Sequence, residues 1–259
     1  MKETALITGA SSGIGLDLAH LFARDGHDVV LVARSEGKLQ EVARDLERHH
    51  KVAAHVLPAD LSRPDAPRQL FEEARDRRLQ IDVLVNNAGF GLGGKFAETD
   101  LQTELDMIQV NITAVVHLTK LFLGGMVARG SGRILNVAST AAFQPGPLMA
   151  VYYATKAFVL SFSDAIGEEL TGSGVTVTAL CPGPTFTGFA DAAHIENTGL
   201  FKVMRPMTSM DVAQIGYRAM RRGKRVAITG LRNKLTAQSV RVSPRFVVTK
   251  VVRALQERR

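Results

Sequence analysis

Tyr152 and Lys156 stand four residues apart in a stretch, Ala150-Val151-Tyr152-Tyr153-Ala154-Thr155-Lys156, whose pattern predicts a helix. That spacing sets the phenol and the ammonium one above the other on a single helix face. A neighbouring cation favours the ionised form of an acid, so Lys156 is expected to lower the pKa of Tyr152 toward working pH. A phenol tuned in this way can pass a proton to or from a substrate oxygen. Ser139 follows the strand-like run Ile134-Leu135-Asn136-Val137-Ala138, where its hydroxyl can reach the same oxygen. A Tyr and a Lys at this spacing also occur on many solvated helix faces. The chemistry therefore requires a place for a second reactant.

The beginning of the chain supplies one. The β-prone run Thr4–Thr8 leads into Gly9-Ala10-Ser11-Ser12-Gly13-Ile14-Gly15 and then a helical pattern through Leu18, Leu21 and Phe22. Strand, glycine turn and helix together aim backbone N–H groups and a helix N-terminus at a phosphate. The spacing is Gly-x-x-x-Gly-x-Gly, and no Lys-Ser/Thr pair follows to make a Walker loop. The second strand, over 28–33, ends at Ala33-Arg34-Ser35. Dinucleotide-binding folds place an acid there to accept from the ribose 2′-OH of NAD, whereas an arginine pairs with a 2′-phosphate. Arg34 therefore favours NADP(H).

The elements that must carry these residues alternate along the chain. A helix is expected over 38–49, a strand over 52–57 leading to Asp60 and Leu61 beside the adenine position, and a helix over 64–79. A buried strand over 82–85 runs into Asn86-Asn87-Ala88-Gly89. There the small residues admit a ligand to the backbone, and the Asn side chains hold neighbouring strands together. One long helix is expected over 101–127 with Asn111 inside it, a poor mid-helix residue that points to a functional reason. A strand over 133–137 precedes Ser139, and the Tyr152 helix runs to about Leu170. A sixth strand over 175–181 stops at Pro182-Gly183-Pro184-Thr185-Phe186-Thr187. Residues 191–205, with Phe201 and Met204, have the apolar, aperiodic composition of a lid. A helix capped by Ser209 and a seventh strand over 225–229 complete the alternation.

The fold class is α/β: a single Rossmann-type, doubly wound parallel sheet of about seven strands with helices on both faces, forming one domain over 1–259. Ligands in such sheets bind beyond the carboxyl ends of the strands. The glycine turn, Arg34, Asp60, Asn87, Ser139 and Pro182-Gly183 all fall there.

These residues, in this order, resemble the short-chain dehydrogenase/reductase superfamily over nearly the whole chain. The resemblance rests on Thr8 to Gly15, Asp60, Asn86-Asn87-Ala88-Gly89, Asn111, Ser139, Tyr152 with Lys156, and Pro182-Gly183. It implies Tyr152 as general acid/base and Ser139 as the donor that positions the substrate oxygen. Lys156 would bond the nicotinamide ribose, Asn111 would anchor a water that relays protons to Lys156, and Thr187 would orient the nicotinamide carboxamide. The implied dinucleotide set is Gly9, Ser11, Ser12, Gly13, Ile14, Gly15, Arg34, Asp60, Leu61, Asn87, Ala88, Gly89, Tyr152, Lys156, Pro182, Gly183, Thr185 and Thr187. The expected reaction is NADPH-dependent reduction of a ketone or aldehyde, with a catalytically silent NADP(H) sensor or scaffold as the alternative. Leu92, Phe96, Phe143, Leu148, Met149, Phe186, Phe189 and Phe201 suggest an apolar ketone or aldehyde, with core packing an equal alternative for them, and the long basic tail resembles a subgroup of the superfamily that includes acyl-thioester and hydroxysteroid-type reductases. A homodimer or homotetramer is implied by the resemblance alone.

Charge and composition bound the remaining possibilities. From residue 202 onward fifteen Lys/Arg face two acids, while the chain as a whole carries +7, so residues 1–201 are net acidic. The basic charges are scattered singly among apolar residues and no nucleic-acid motif accompanies them, so no nucleic-acid partner is expected. The basic extension over 234–259 places Phe246, Val247, Val251, Val252 and Leu255 on one helical face. Core packing, subunit contact and docking on a membrane surface are each compatible with that face. The histidines show no metal-ligand spacing, and no metal site is expected. A single cysteine, Cys181, in a buried strand pattern and an N-terminus without a secretory signal lead to an expected cytoplasmic location.

Overall fold

The computed structural model describes residues 2–189, 193 and 206–257. Its strands in chain order are β1 (Thr4–Thr8), β2 (Asp28–Val32), β3 (Ala54–Val56), β4 (Val83–Asn86), β5 (Gly132–Val137), β6 (Val175–Cys181), β7 (Thr185–Phe186), β8 (Met207–Thr208) and β9 (Val226–Ile228). Seven of them form one sheet in the order β3-β2-β1-β4-β5-β6-β9, every pairing parallel. The apolar runs of β1, β2, β4 and β5 are buried almost end to end, as strands covered on both faces must be. The chain order reverses between β1 and β4, so the connections diverge there and leave a crevice at the strand ends.

The helices are α1 (Gly13–Arg24), α2 (Glu36–His50), α3 (Ala66–Asp76), α4 (Leu101–Ile108), α5 (Ala114–Ala128), α6 (Ala150–Glu169), α7 (Ser209–Arg221), α8 (Leu231–Val242) and α9 (Arg245–Gln256). One face of the sheet is sealed by Leu18, Phe22, Leu39, Leu46 and Met220 from α1, α2 and α7. The opposite face is sealed by Leu70, Leu118, Phe122 and Met126 from α3 and α5. Composition and length alone would let the helical run Leu101–Ala128 cross a bilayer. Here Leu118, Phe122 and Met126 of that run pack on the sheet, while Leu101, Leu105, Ile108 and Val127 are exposed.

Two expectations change. The single helix over 101–127 is interrupted by a π-helical turn, Gln109–Thr113, that contains Asn111. The cap of α7 is Thr208 rather than Ser209, its hydroxyl accepting from the Asp211 N–H. For the basic extension, core packing is among the open readings, and α8 and α9 fold back over the sheet's carboxyl edge with Val248, Val252 and Gln256 buried. The helical face expected there divides accordingly, Val252 turning inward while Phe246, Val247 and Val251 remain exposed. A short parallel ladder, β7 with β8, was not foreseen. The proposed lid over 191–205, with Phe201 and Met204, lies outside the described residues apart from Ala193.

The side-chain staples expected around Asn86-Asn87 are present. Asn86 Nδ2 donates to Asn136 Oδ1 at 2.8 Å and to Thr119 Oγ1 at 3.1 Å, and Asn136 Nδ2 donates to Ser163 Oγ at 2.9 Å. This chain of bonds ties α5, β4, β5 and α6 together. Thr8 is a second hub: its hydroxyl donates to the Val85 carbonyl and accepts from the Asn87 and Ala88 N–H groups, each at 2.9 Å. Thr8→Val keeps the shape but strands the Ala88 N–H, while the Asn87 N–H keeps a bond to the Val85 carbonyl at 3.1 Å. It is expected to cost about 1–3 kcal/mol, read as a lower urea midpoint with unchanged slope.

Candidate active site

The turn after β1 is built by crowding as much as by flexibility. Gly9 has φ of +68°, and a Cβ there would lie 2.7 Å from Asn87 Nδ2. That amide donates to the Thr8 carbonyl at 2.9 Å, which pins the turn against the end of β4. Ser12 occupies the N-cap of α1 without a side-chain bond to the helix. The first N–H groups of α1 therefore remain free to meet an anion.

A cleft of about 940 Å³ opens beyond the strand ends. Of the residues that the sequence singled out, Gly9, Ser11, Ser12, Gly13, Ile14, Arg34, Asp60, Leu61, Asn87, Ala88, Gly89, Ser139, Tyr152, Lys156, Pro182, Gly183, Thr185 and Thr187 line it. Two expected residues stand behind the wall. Gly15 is packed between the Gly9 carbonyl and Asn87, so its lack of a side chain serves helix-to-strand packing. Asn111 is buried in the π turn, its Nδ2 donating to the Phe90 carbonyl at 3.0 Å and to Thr155 Oγ1 at 3.1 Å. Its Oδ1 accepts from the Phe90 N–H at 3.2 Å. A Cβ added at Gly89 would lie 2.9 Å from Asn111 Oδ1 and 3.4 Å from Lys156 Nζ, so these two groups converge on the bare glycine.

Tyr152 and Lys156 share one turn of α6 and are almost wholly buried. Lys156 Nζ donates to the Val137 carbonyl at 2.9 Å and lies 5.8 Å from the Tyr152 ring centre. The expected depression of the Tyr152 pKa is not found. Burial raises it above the ordinary phenol value, and the Ser139 hydroxyl opposes that rise only in part. Burial also brings Lys156 down to about 8. Removal from water dominates both shifts and moves each group toward its neutral form, although Lys156, at about 8, still carries its charge at neutral pH. Tyr152 thus keeps its proton across the neutral range.

The apolar wall differs from the set expected. Met149 and Phe189 line the cleft, with Phe189 at 5.2 Å from the Tyr152 ring. Leu92 packs behind them, Phe143 lines a neighbouring cavity, and Phe96 and Phe186 are exposed. Leu148, half-buried with φ of +68°, receives the Gly94 N–H on its carbonyl, and Phe201 lies outside the described residues. The wall that sequence reasoning missed comes from α9, where Val247, Val248, Val251 and Val252 face the same cleft. Lys38, exposed on the first turn of α2, joins Arg34 at the opposite rim and was also missed. Its signal was present as a second cation four residues after the first.

This cradle fits a dinucleotide: a glycine turn that a side chain would fill, an open helix N-terminus, two cations at one end and a phenol at the other. Cys181 is buried and free, its thiol pushed up to about 12 by burial, and takes no part.

Comparison with known proteins agrees. Residues 3–197 match the short chain dehydrogenase family. A candidate ketoacyl reductase of Streptomyces coelicolor is 38% identical over 204 residues, which cover 78% of each chain. The 17-beta-hydroxysteroid dehydrogenase type 3 of Mus musculus is 39% identical over 185 residues, 70% of this chain and 60% of that one. Among solved structures, a short-chain dehydrogenase from Sphingobium yanoikuyae in complex with NADPH is 34% identical. It superposes with a TM-score of 0.82, covering 94% of this chain and 96% of its own.

The burial of Lys156 has a measurable signature. Between about pH 8 and the ordinary lysine value of 10.5, the folded protein sheds this proton while the unfolded chain still holds it. The Lys156 contribution to stability therefore rises with pH in that window, by up to about 3 kcal/mol, opposed above about pH 9 by Cys181, whose raised pKa acts with the opposite sign. The stability of the wild type relative to Lys156→Met should increase between pH 7.5 and pH 10, as read by urea unfolding of both proteins at each pH.

Proposed function

Since this chain belongs to the short chain dehydrogenase family, we propose that it is an NADPH-dependent oxidoreductase that reduces an apolar ketone or aldehyde to the alcohol. The observation that carries the reading is the convergence of Ser139, Tyr152 and Lys156 on one end of a cleft whose other end is a glycine-walled cradle. A protein that only sensed or displayed the dinucleotide would have no use for a buried phenol and a buried ammonium on one helix turn. The names of the relatives support a carbonyl or alcohol substrate. They span acyl and steroid classes, so they leave the substrate's identity to experiment.

The dinucleotide would be held by the N–H groups of Ser12 to Ile14, by Asp60 and Asn87 along the cleft, and by Thr185 and Thr187 near the reacting end. When bound, it supplies the hydride. The chain's own residues supply the rest. Tyr152, protonated because its site is dry, is suited to give its proton to a substrate oxygen as negative charge grows there. Ser139 caps a short 3-10 turn just after β5, its Oγ accepting from the Ala141 N–H at 3.0 Å and donating to the Pro182 carbonyl only at a long 3.5 Å, so that its proton can turn to the same oxygen. Lys156, fixed by the Val137 carbonyl, holds a cation beside the phenol and favours the phenolate left after transfer. Met149 and Phe189 exclude water from that end, which strengthens each of these interactions.

Preference for NADPH follows from Arg34 and Lys38, two cations at the rim where the ribose 2′ position falls, with no acid beside Arg34 in the chain. Two outcomes are expected. Tyr152→Phe should lose about 10²- to 10⁴-fold in kcat/KM for ketone reduction while keeping NADPH binding; turnover at the wild-type rate would refute the assignment. Arg34→Asp should shift the NADPH-to-NADH affinity ratio toward NADH by at least about tenfold. An unchanged ratio would remove Arg34 from the cofactor site.

A further inference from the structure

The wall contributed by α9 is apolar until its last turn, where a polar pair interrupts it. Gln256 is 3% exposed and Tyr153 is 6% exposed, and both line the cleft. Gln256 Nε2 donates to the Tyr153 hydroxyl at 2.7 Å and approaches Met149 Sδ at 3.5 Å. The amide's other end, Oε1, is buried with no partner among the described residues. A buried amide oxygen without a donor is a cost that folded proteins rarely carry unless a ligand or function uses it. A tie between α9 and α6 needs only the Nε2 side of the amide, so the tie does not account for the oxygen.

The pair stands beside the reacting end of the cleft. The Tyr153 and Tyr152 rings meet edge-on with centres 6.0 Å apart, and Met149, which touches Gln256, lies on the same stretch of wall. The Tyr153 hydroxyl already accepts from Gln256, which leaves its own proton to donate. Together the two side chains offer one acceptor and one donor, the complement of an alcohol. We propose that Gln256 and Tyr153 form a subsite for a second, non-reacting hydroxyl of the substrate, which donates to Gln256 Oε1 and accepts from Tyr153. The substrate is then a hydroxylated ketone or aldehyde rather than a plain apolar one. This rests on the reductase reading above and narrows its substrate class.

The test uses the full-length protein with NADPH and a series of 2-alkanones of increasing chain length. Each is offered in three forms: unsubstituted, with a hydroxyl on the far carbon, and with a methoxy group there. At one chain length the hydroxyl form should exceed both others in kcat/KM by about tenfold or more. The methoxy form accepts but cannot donate, so it should behave like the unsubstituted ketone. In Gln256→Met, which keeps the shape and removes the unpaired oxygen, the hydroxyl-to-unsubstituted ratio should fall to about one. Tyr153→Phe should lower the same ratio, which keeps the test open if the Gln256 variant disturbs the end of α9. A wild-type ratio near one at every chain length overturns the subsite, as does a preference that survives Gln256→Met or extends equally to the methoxy form. No NADPH consumption with any ketone would instead overturn the reductase reading itself.

Discussion

A lysine charge held out of water is the constraint around which this structure is arranged. Lys156 is buried in the middle of α6 with one described protein acceptor, the Val137 carbonyl, at the end of a fully parallel sheet. An unpaired cation in such a place is costly, and a site that tolerates it has given up stability for local chemistry. Much of the nearby architecture serves that position. β5 ends where its last carbonyl can accept from Nζ. Gly89 leaves out the side chain that would collide with Asn111 and reach contact distance of Nζ. The helix opposite widens by a π turn, which lets Asn111 reach inward to the Phe90 backbone and Thr155. Such turns insert one residue's worth of slack into a helix and are frequent at functional sites.

The same burial makes Tyr152 a reluctant acid in the free protein. Reasoning from charge alone, a lysine one turn away should pull a phenol's pKa down. In the folded chain the loss of hydration dominates and pushes it up. The two effects respond differently to what fills the cleft. Desolvation is a property of the walls, whereas the attraction between the groups grows as the surrounding dielectric falls. The geometry therefore stores the phenol in its protonated form, ready for an oxygen that is acquiring negative charge.

Much of the fold and the heart of the site were legible because they depend on residue type and short spacing. Only glycine fits at Gly9, where φ is positive and Asn87 crowds the backbone. Buried parallel strands demand apolar runs, and four residues bring Tyr152 over Lys156. The parts that were not legible depend on contacts between distant segments. Asn111 was conspicuous in the sequence, but the groups that draw it inward lie 21 and 44 residues away. Gly15 reads like its neighbours in the glycine turn, yet its work is packing against Gly9 and Asn87. The amphipathic tail announced a face without saying what it would cover. The answer, a cleft wall reaching Tyr153, spans 103 residues. Sequence periodicity can show that a helix needs a partner and cannot name one.

The cleft has one rim in residues 9–14 and another in residues 247–256, so a molecule lying in it touches segments near both extremes of the described chain. Peripheral helices ordinarily fray on their own, exchanging their amide hydrogens by local opening rather than by global unfolding. With the cleft filled, α9 can detach only by breaking ligand contacts as well, and mass action makes that opening rarer as ligand concentration rises. A bound molecule thus acts as a clasp between opposite ends of the polypeptide. It would lend its binding free energy to a helix that, on its own, holds three buried side chains against the body.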